Sequence, residues 1–199
     1  MSPAEARDLL EEYAPPGAPW AAHCRQVARV ARLLADELAG RGAPVAPEEL
    51  EVQGLLHDIG RARTHGPYHG WAGYVLLRAR GRPEAGRGCL THWLKGRSRE
   101  ELAAHGAFRP RFLDRVLAAL DPPDWTVADS VLSVADASVR HSTVVDLDER
   151  FRDLSDRYGD SRWLRRAREL TEQHARDLGR ILGRPVAELL RPLYGDSLA

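Results

Sequence analysis

The chain has 199 residues, of which 29 are basic and 29 acidic, so its formal net charge is zero, and 43% of it is hydrophobic. That length suffices for one well-buried core, and the balanced charge gives no field that would gather nucleic acid or an acidic membrane surface. Two cysteines, Cys24 and Cys89, without a CxxC pair, offer neither a disulfide framework nor a thiolate zinc site, and a reducing cytoplasm is the expected setting.

Lys95 is the single lysine; the other basic residues are arginine, which together with abundant Ala, Gly, Pro and Leu reads as a compositional habit and not as an RNA-binding signal. The start, Met1-Ser2-Pro3-Ala4-Glu5, lacks the basic segment and apolar core of a secretory signal. No apolar run approaches the roughly 20 residues of a membrane span. The expectation is a soluble single domain over residues 1–199, its core at about 20–140 and C-terminal helices over 143–194 packed on it.

Ser2-Pro3-Ala4-Glu5 combines an N-cap serine, a proline at the first helical position and a glutamate three after the serine, which predicts a short helix to about Tyr13. Pro15-Pro16-Gly17 breaks the chain. Trp20 to Ala39 follows with Val27, Val30, Leu34 and Leu38 at helical spacing, and His23, four residues before Val27, falls on the same inward stripe. Pro47-Glu48-Glu49 opens another helix with proline and acids in its first turn. Leu50, Leu55 and Leu56 face inward, and the helix is expected to end at Gly60, with His57 and Asp58 in its last turn.

A polar connection, Arg61 to Gly66, leads to a helix from about His69 to Arg80, and after a loop Cys89 to Leu94 forms a short helix containing His92. Ser98-Arg99-Glu100-Glu101 resembles a second capping box and opens a helix that stops near His105-Gly106. Pro110 to Leu120 is read as helical. Asp124 is expected to cap Trp125 to Val139, a helix apolar around most of its circumference with Asp136 in its middle. Thr143 to Tyr158, Ser161 to Leu182 and Val186 to Leu193 read as amphipathic helices. With no convincing strand alternation and no internal repeat, the fold class is all-α, a compact helical bundle.

Periodicity thus places His23, His57, Asp58 and Asp136 on inward faces or at helix ends, where an isolated charge is costly unless paired, hydrogen-bonded or metal-bound. Imidazole with carboxylate suits Fe, Mn, Zn, Co or Ni better than the all-oxygen shells of Ca or Mg. His69 and His92 add two imidazoles, enough for a second ion if a carboxylate bridges. Each residue alone has a plainer reading: His23 as a satisfied core histidine, Asp58 as a surface residue, Asp136 as the partner of an arginine. His105 is read as interacting with a helix C-terminus, and His141 and His174, in polar surroundings, as solvated.

The order His23, then His57-Asp58 within Leu55-Leu56-His57-Asp58-Ile59-Gly60, then Asp136 within Ser133-Val134-Ala135-Asp136, resembles the HD-domain superfamily of metal-dependent phosphohydrolases. The fuller stretch Gly54 to Gly66, with His69, Gly73 and Leu76-Leu77, is similar more narrowly to a small HDIG subgroup described mainly from archaea. The resemblance covers about Trp20 to Arg140. It implies that His23, His57, Asp58 and Asp136 hold one metal, and that in two-metal members the aspartate at Asp58 bridges to a second ion held by histidines matching His69 and His92. The implied cofactor is a divalent transition metal, two ions, with Fe or Mn favoured and Zn, Co or Ni acceptable.

The expected activity is hydrolysis of a small phosphorylated metabolite, most simply a nucleotide, by a metal-activated water. Asp58, Arg61, His65 and Lys95 are the catalytic candidates, and Arg61, Arg63, His65 and Lys95 the candidates for binding substrate phosphate. The partner is then a small phosphate ester, without nucleic acid or membrane, and a homo-oligomer is compatible. A mixed-valent diiron oxygenase with the same ligands, and a non-catalytic nucleotide sensor, are the alternative readings.

Overall fold

The computed structural model describes residues 1–198. Among them are eleven α-helices: α1 Pro3–Tyr13, α2 Pro19–Ala39, α3 Pro47–Leu56, α4 His69–Ala79, α5 Arg87–Leu94, α6 Arg99–Ala104, α7 Pro110–Leu117, α8 Val127–Ala137, α9 Leu147–Tyr158, α10 Arg162–Leu182 and α11 Val186–Leu190. The fold class is all-α. Both predicted capping boxes form, with Ser2 and Glu5 satisfying each other's backbone amides at the head of α1 and Ser98 and Glu101 doing so at α6.

α2 is the central element. Its Val27, Val30, Leu34 and Leu38 are buried against α8 and α10, through Val131, Val134, Leu178 and Leu182. Its other side meets α3 and, with Cys24 and Ala28, joins a second apolar cluster with Leu56, Leu77 and Leu90 from α3, α4 and α5. Each such leucine removed from water contributes about 1.5–3 kcal/mol before the entropy of ordering is charged against it. No described helix is long and apolar enough to cross a membrane.

Three of the differences from the sequence reading bear on the site. α3 ends at Leu56, His57 is its C-cap, and the chain continues as a 3-10 turn over Ile59–Ala62, so Asp58 sits between the two helices and not in a last α-turn. α8 is capped by Thr126 and not Asp124, because Thr126 and Asp129 form a reciprocal capping box. After α8 the chain does not resume a helix at Thr143. Val139–Arg140 and Thr143–Val144 pair as a two-residue antiparallel hairpin, β1 and β2, with His141 in its turn at φ 56°, and α9 begins only after Asp146 caps it. Runs of two residues are too short to show an alternation.

Candidate metal centre

Close backbone approach puts the histidines in one place. A Cβ on Gly54 would stand 2.6 Å from the Ala28 Cα, so only glycine lets α3 cross α2 at that depth. One turn later His57 is fully buried beside His23, with ring centroids 5.3 Å apart. A Cβ on Gly60 would lie 1.9 Å from the His69 carbonyl oxygen and 2.5 Å from the Gly73 nitrogen, so the 3-10 turn rests directly on the first turn of α4. That contact carries His69 to Asp58.

All four inward imidazoles are oriented in the same way. Nδ1–H of His23 donates to the His141 carbonyl at 2.9 Å, that of His57 to Gly54 at 2.7 Å, that of His69 to Gly66 at 2.9 Å and that of His92 to Gly88 at 3.1 Å. A carbonyl can only accept, so each Nδ1 carries a proton and each Nε2 is left facing inward, a donor to a carboxylate when it too carries a proton and a metal-binding lone pair when the ring is neutral. These nitrogens face carboxylates and each other. His23 Nε2 is 3.1 Å and His57 Nε2 3.8 Å from Asp136 Oδ1, which forms one group. His69 and His92 Nε2 are 3.1 and 3.5 Å from Asp58 Oδ1 and 2.9 Å from each other, which forms a second. Asp58 Oδ2 lies 4.0 Å from His57 Nε2, so this carboxylate looks towards both groups.

His57 Nε2 and Asp58 Oδ1 are buried without a hydrogen-bond partner among the described residues. An orphaned buried acceptor costs about 1–3 kcal/mol, and acceptors converging on acceptors repel unless a cation lies among them. The donor set, imidazole nitrogen with carboxylate oxygen, fits a divalent transition ion in each group. The backbone carbonyls that fix each ring's tautomer are the supporting bonds such ligands need.

Burial drives His57 down to about 4, against the opposing fields of Asp58 and Asp136, so its Nε2 is unprotonated at neutral pH. Burial pushes the Asp58 carboxyl up, but the imidazoles of His69 and His92 and the field of His57 outweigh it and hold the group well below the ordinary carboxylate range. Asp136 is likewise held low, burial being overcome by Lys95, His23 and His57. Both carboxylates are therefore anionic. Neither is suited to taking a proton near neutrality.

Of the predicted phosphate-binding groups, Lys95 and Arg61 lie at the centre, whereas Arg63 and His65 are not brought into it. The Lys95 ammonium stands 3.4 Å from Asp136 Oδ2, buried, with its pKa lowered by that burial. Arg61 Nε is 2.5 Å from Asp58 Oδ2, so its guanidinium is already engaged by a carboxylate and first orients Asp58. Arg63 and His65 are exposed, and neither side chain has a hydrogen bond or ion pair among the described residues.

The expectation that His174 is solvated is overturned. It is buried, stacked on Trp125 with centroids 4.9 Å apart, and its Nε2 lies 3.2 Å from the Lys95 carbonyl. The signal was present, since Ala167, Thr171, His174, Leu178 and Leu182 form one inward stripe of α10. His174 thereby supports Lys95, which caps α5 in the left-handed conformation at φ 52°. Arg87 was also missed. Its fork grips the fully buried Asp129 at 2.8 and 2.6 Å, tying the start of α5 to the start of α8 and so fixing His92 relative to Asp136. Nothing in the sequence pairs residues 42 apart. His141 is exposed, as expected, and serves through its backbone.

The family model described as HD domain matches residues 20–158, more than half of the chain, and runs beyond the expected limit at Arg140 through the whole of α9. A 59-residue segment is 46% identical to "Uncharacterized protein MJ0778" of Methanocaldococcus jannaschii, covering 30% of this chain and 35% of that protein. The chain thus aligns with about a third of that relative's length. No solved structure matches.

Proposed function

The chain belongs to the HD-domain family, whose members are in general metal-dependent phosphohydrolases, and we propose that it hydrolyses a small phosphorylated metabolite, a nucleotide or related phosphate ester, at a centre of two metal ions. His23, His57 and Asp136 would hold one ion and His69 and His92 the other, with Asp58 bridging. The observation that carries this reading is the convergence of four Nδ1-protonated imidazoles and two anionic carboxylates around orphaned buried acceptors. A divalent transition ion, Fe or Mn by preference, supplies Lewis acidity and a nucleophilic water of lowered pKa.

The protein's own groups do the rest. The backbone carbonyls of His141, Gly54, Gly66 and Gly88 hold the imidazoles with Nδ1 outward and Nε2 aimed into the centre, so the rings are already oriented to receive cations. Arg61 fixes the Asp58 carboxylate in the rotamer in which its two oxygens face different groups. Lys95, on the Asp136 side, neutralises charge on the phosphoryl oxygens. In the reaction the water oxygen bonds to phosphorus, the bond from phosphorus to the leaving oxygen breaks, and the water proton ends on the leaving group.

A phosphate-release screen over nucleotides and other phosphate esters, on protein reconstituted with Fe or Mn without oxygen, tests the reading. Release that requires the metal and disappears in Asp58→Ala is the expected result. Dioxygen consumption coupled to substrate turnover, with no phosphate released, would place the chain among oxygenases instead.

A further inference from the structure

A cavity of about 1140 Å³ is lined by the second half of α8, the start of α9, α10 and α11, and no candidate metal ligand or phosphate-binding residue borders it. The turn after α10 shapes it. Gly183 ends that helix in the left-handed conformation, at φ 68°, and Gly179, where a Cβ would stand 3.2 Å from the Arg184 carbonyl oxygen, brings the turn close against α10. Much of the lining is apolar. Val134 of α8 and Val186 and Leu190 of α11 belong to the core cluster around α2, and Ala175 and Tyr194 pack against them.

The charges in its wall do not cancel. Of the carboxylates, Asp148 and Glu172 are both held by Arg168, and Asp146 caps α9 by accepting from the Glu149 amide at 2.7 Å. Of the arginines, Arg180 is held by Asp177 and Arg184 by Glu37. Arg176 and Arg191 have no carboxylate partner among the described residues, and Arg176 reaches only the neutral Gln173 side chain, at 2.9 Å. Exposed arginines without a partner are ordinary on this surface, and Arg111 and Arg115 of α7 are two of them. What separates Arg176 and Arg191 is the apolar concavity that both border.

We propose that this cavity is a binding site for a small organic anion, a molecule with an apolar body and a carboxylate, sulfonate or phosphate head. The apolar body displaces water from the surface over Val134, Val186 and Leu190, and the head pairs with the guanidinium of Arg176 or Arg191. The volume lies a little above the usual range of small-molecule sites, on the order of 300–1,000 Å³, and an apolar wall with a few charged groups is their usual make-up. The site shares no residue with either metal group, so it stands whether or not the phosphohydrolase reading holds.

The experiment is a fluorescence titration of 8-anilinonaphthalene-1-sulfonate into the whole chain, with N-phenyl-1-naphthylamine, the same rings without the sulfonate, as the neutral counterpart. Light scattering and helical circular dichroism are measured on every sample. Three variants are compared with the wild type: Arg176→Gln with Arg191→Gln; Ala187→Phe, which adds bulk to the cavity wall from an exposed position of α11; and Arg111→Gln with Arg115→Gln, which removes the same charge from α7. The wild type binds the sulfonate saturably, one per chain, and the neutral counterpart at least about tenfold more weakly, the scale of one charge-assisted hydrogen bond. Arg176→Gln with Arg191→Gln weakens sulfonate binding by about tenfold or more, Ala187→Phe weakens it too, and the α7 pair leaves it unchanged. Absence of saturable binding overturns the proposal, as does wild-type affinity in either cavity variant. An equal loss in the α7 pair would reduce the effect to overall charge, and equal affinity for the neutral counterpart would reduce it to an apolar patch; either overturns the proposal. A wild-type dimer that Ala187→Phe dissociates would put a second copy of the chain in the cavity and overturn it as well.

Discussion

Gly60→Ala tests how the fold sets the number of metals. The added methyl would begin 1.9 Å from the His69 carbonyl oxygen, where ordinary contact starts at 3.4 Å, so the 3-10 turn and α4 must separate by about 1.5 Å. Both obstacles are backbone atoms, and no side-chain rotation relieves the clash. Overpacking of this kind costs about 1–3 kcal/mol, which in a chain of this length lowers Tm by roughly 2–12 °C. The larger consequence is positional. Metal ligands must sit within about 0.2 Å of their proper distances, and a shift several times that carries His69 away from Asp58 and His92. His23, His57 and Asp136 lie on other elements and are expected to stay. Elemental analysis of the reconstituted variant is therefore expected to show one ion per chain where the wild type holds two, with the helical circular dichroism retained and turnover lost. A Gly60→Ala protein with two ions and wild-type turnover would refute the argument from backbone contact.

The acid stability of metal-free protein carries the signature of His57. Its pKa is 6.5 when free and about 4 when folded, so its contribution is complete above 6.5 and is lost as pH falls towards 4, by about 3 kcal/mol in all. Asp58 and Asp136, with lowered pKa values, lose theirs only below the ordinary carboxylate range, so the windows separate. Denaturant titrations at pH 7 and pH 4.5 should show this loss in wild type and little of it in His57→Gln; an equal loss in both would sink the assignment. Arg61→Ala is expected to weaken metal binding by about 10–100-fold, the usual effect of removing a ligand's supporting partner, measured by competition with a chelator. A rise in KM with metal affinity intact would return Arg61 to the role of phosphate binder. Asp129→Ala strands Arg87 and should cost about 3–5 kcal/mol of stability, read by chemical denaturation, and a loss under 1 kcal/mol would show that the pair does not brace α5 on α8.

The helices were legible where periodicity and caps agreed, as in α1, α2, α6 and α10, because burial of one stripe and satisfaction of the first amides are local demands. The break between His57 and Asp58 was not, since a leucine run ending in His-Asp-Ile-Gly continues the helical pattern; the turn is imposed by Gly60 docking on α4, a contact between elements. β1 and β2 were illegible for a similar reason. The hairpin is held by Val144 and Ser142 meeting the C-terminal residues Asp196 and Leu198, a pairing across half a hundred residues. The six candidate ligands stood out through the family pattern, whereas Arg87 was hidden among many arginines. Only distance and burial distinguish it. His174 is legible in its stripe, because helical spacing with Ala167, Thr171, Leu178 and Leu182 decides its side and its polar neighbours do not.

On the proposed function, two groups, each of two imidazoles and a carboxylate, would hold two ions with Asp58 between them. Metal content per chain after anaerobic reconstitution, compared among wild type, His57→Ala and His92→Ala, tests it most directly. The prediction is two ions in the wild type, one in each variant, and a folded helical protein throughout. Two ions retained in His92→Ala, or none bound by the wild type, would contradict it.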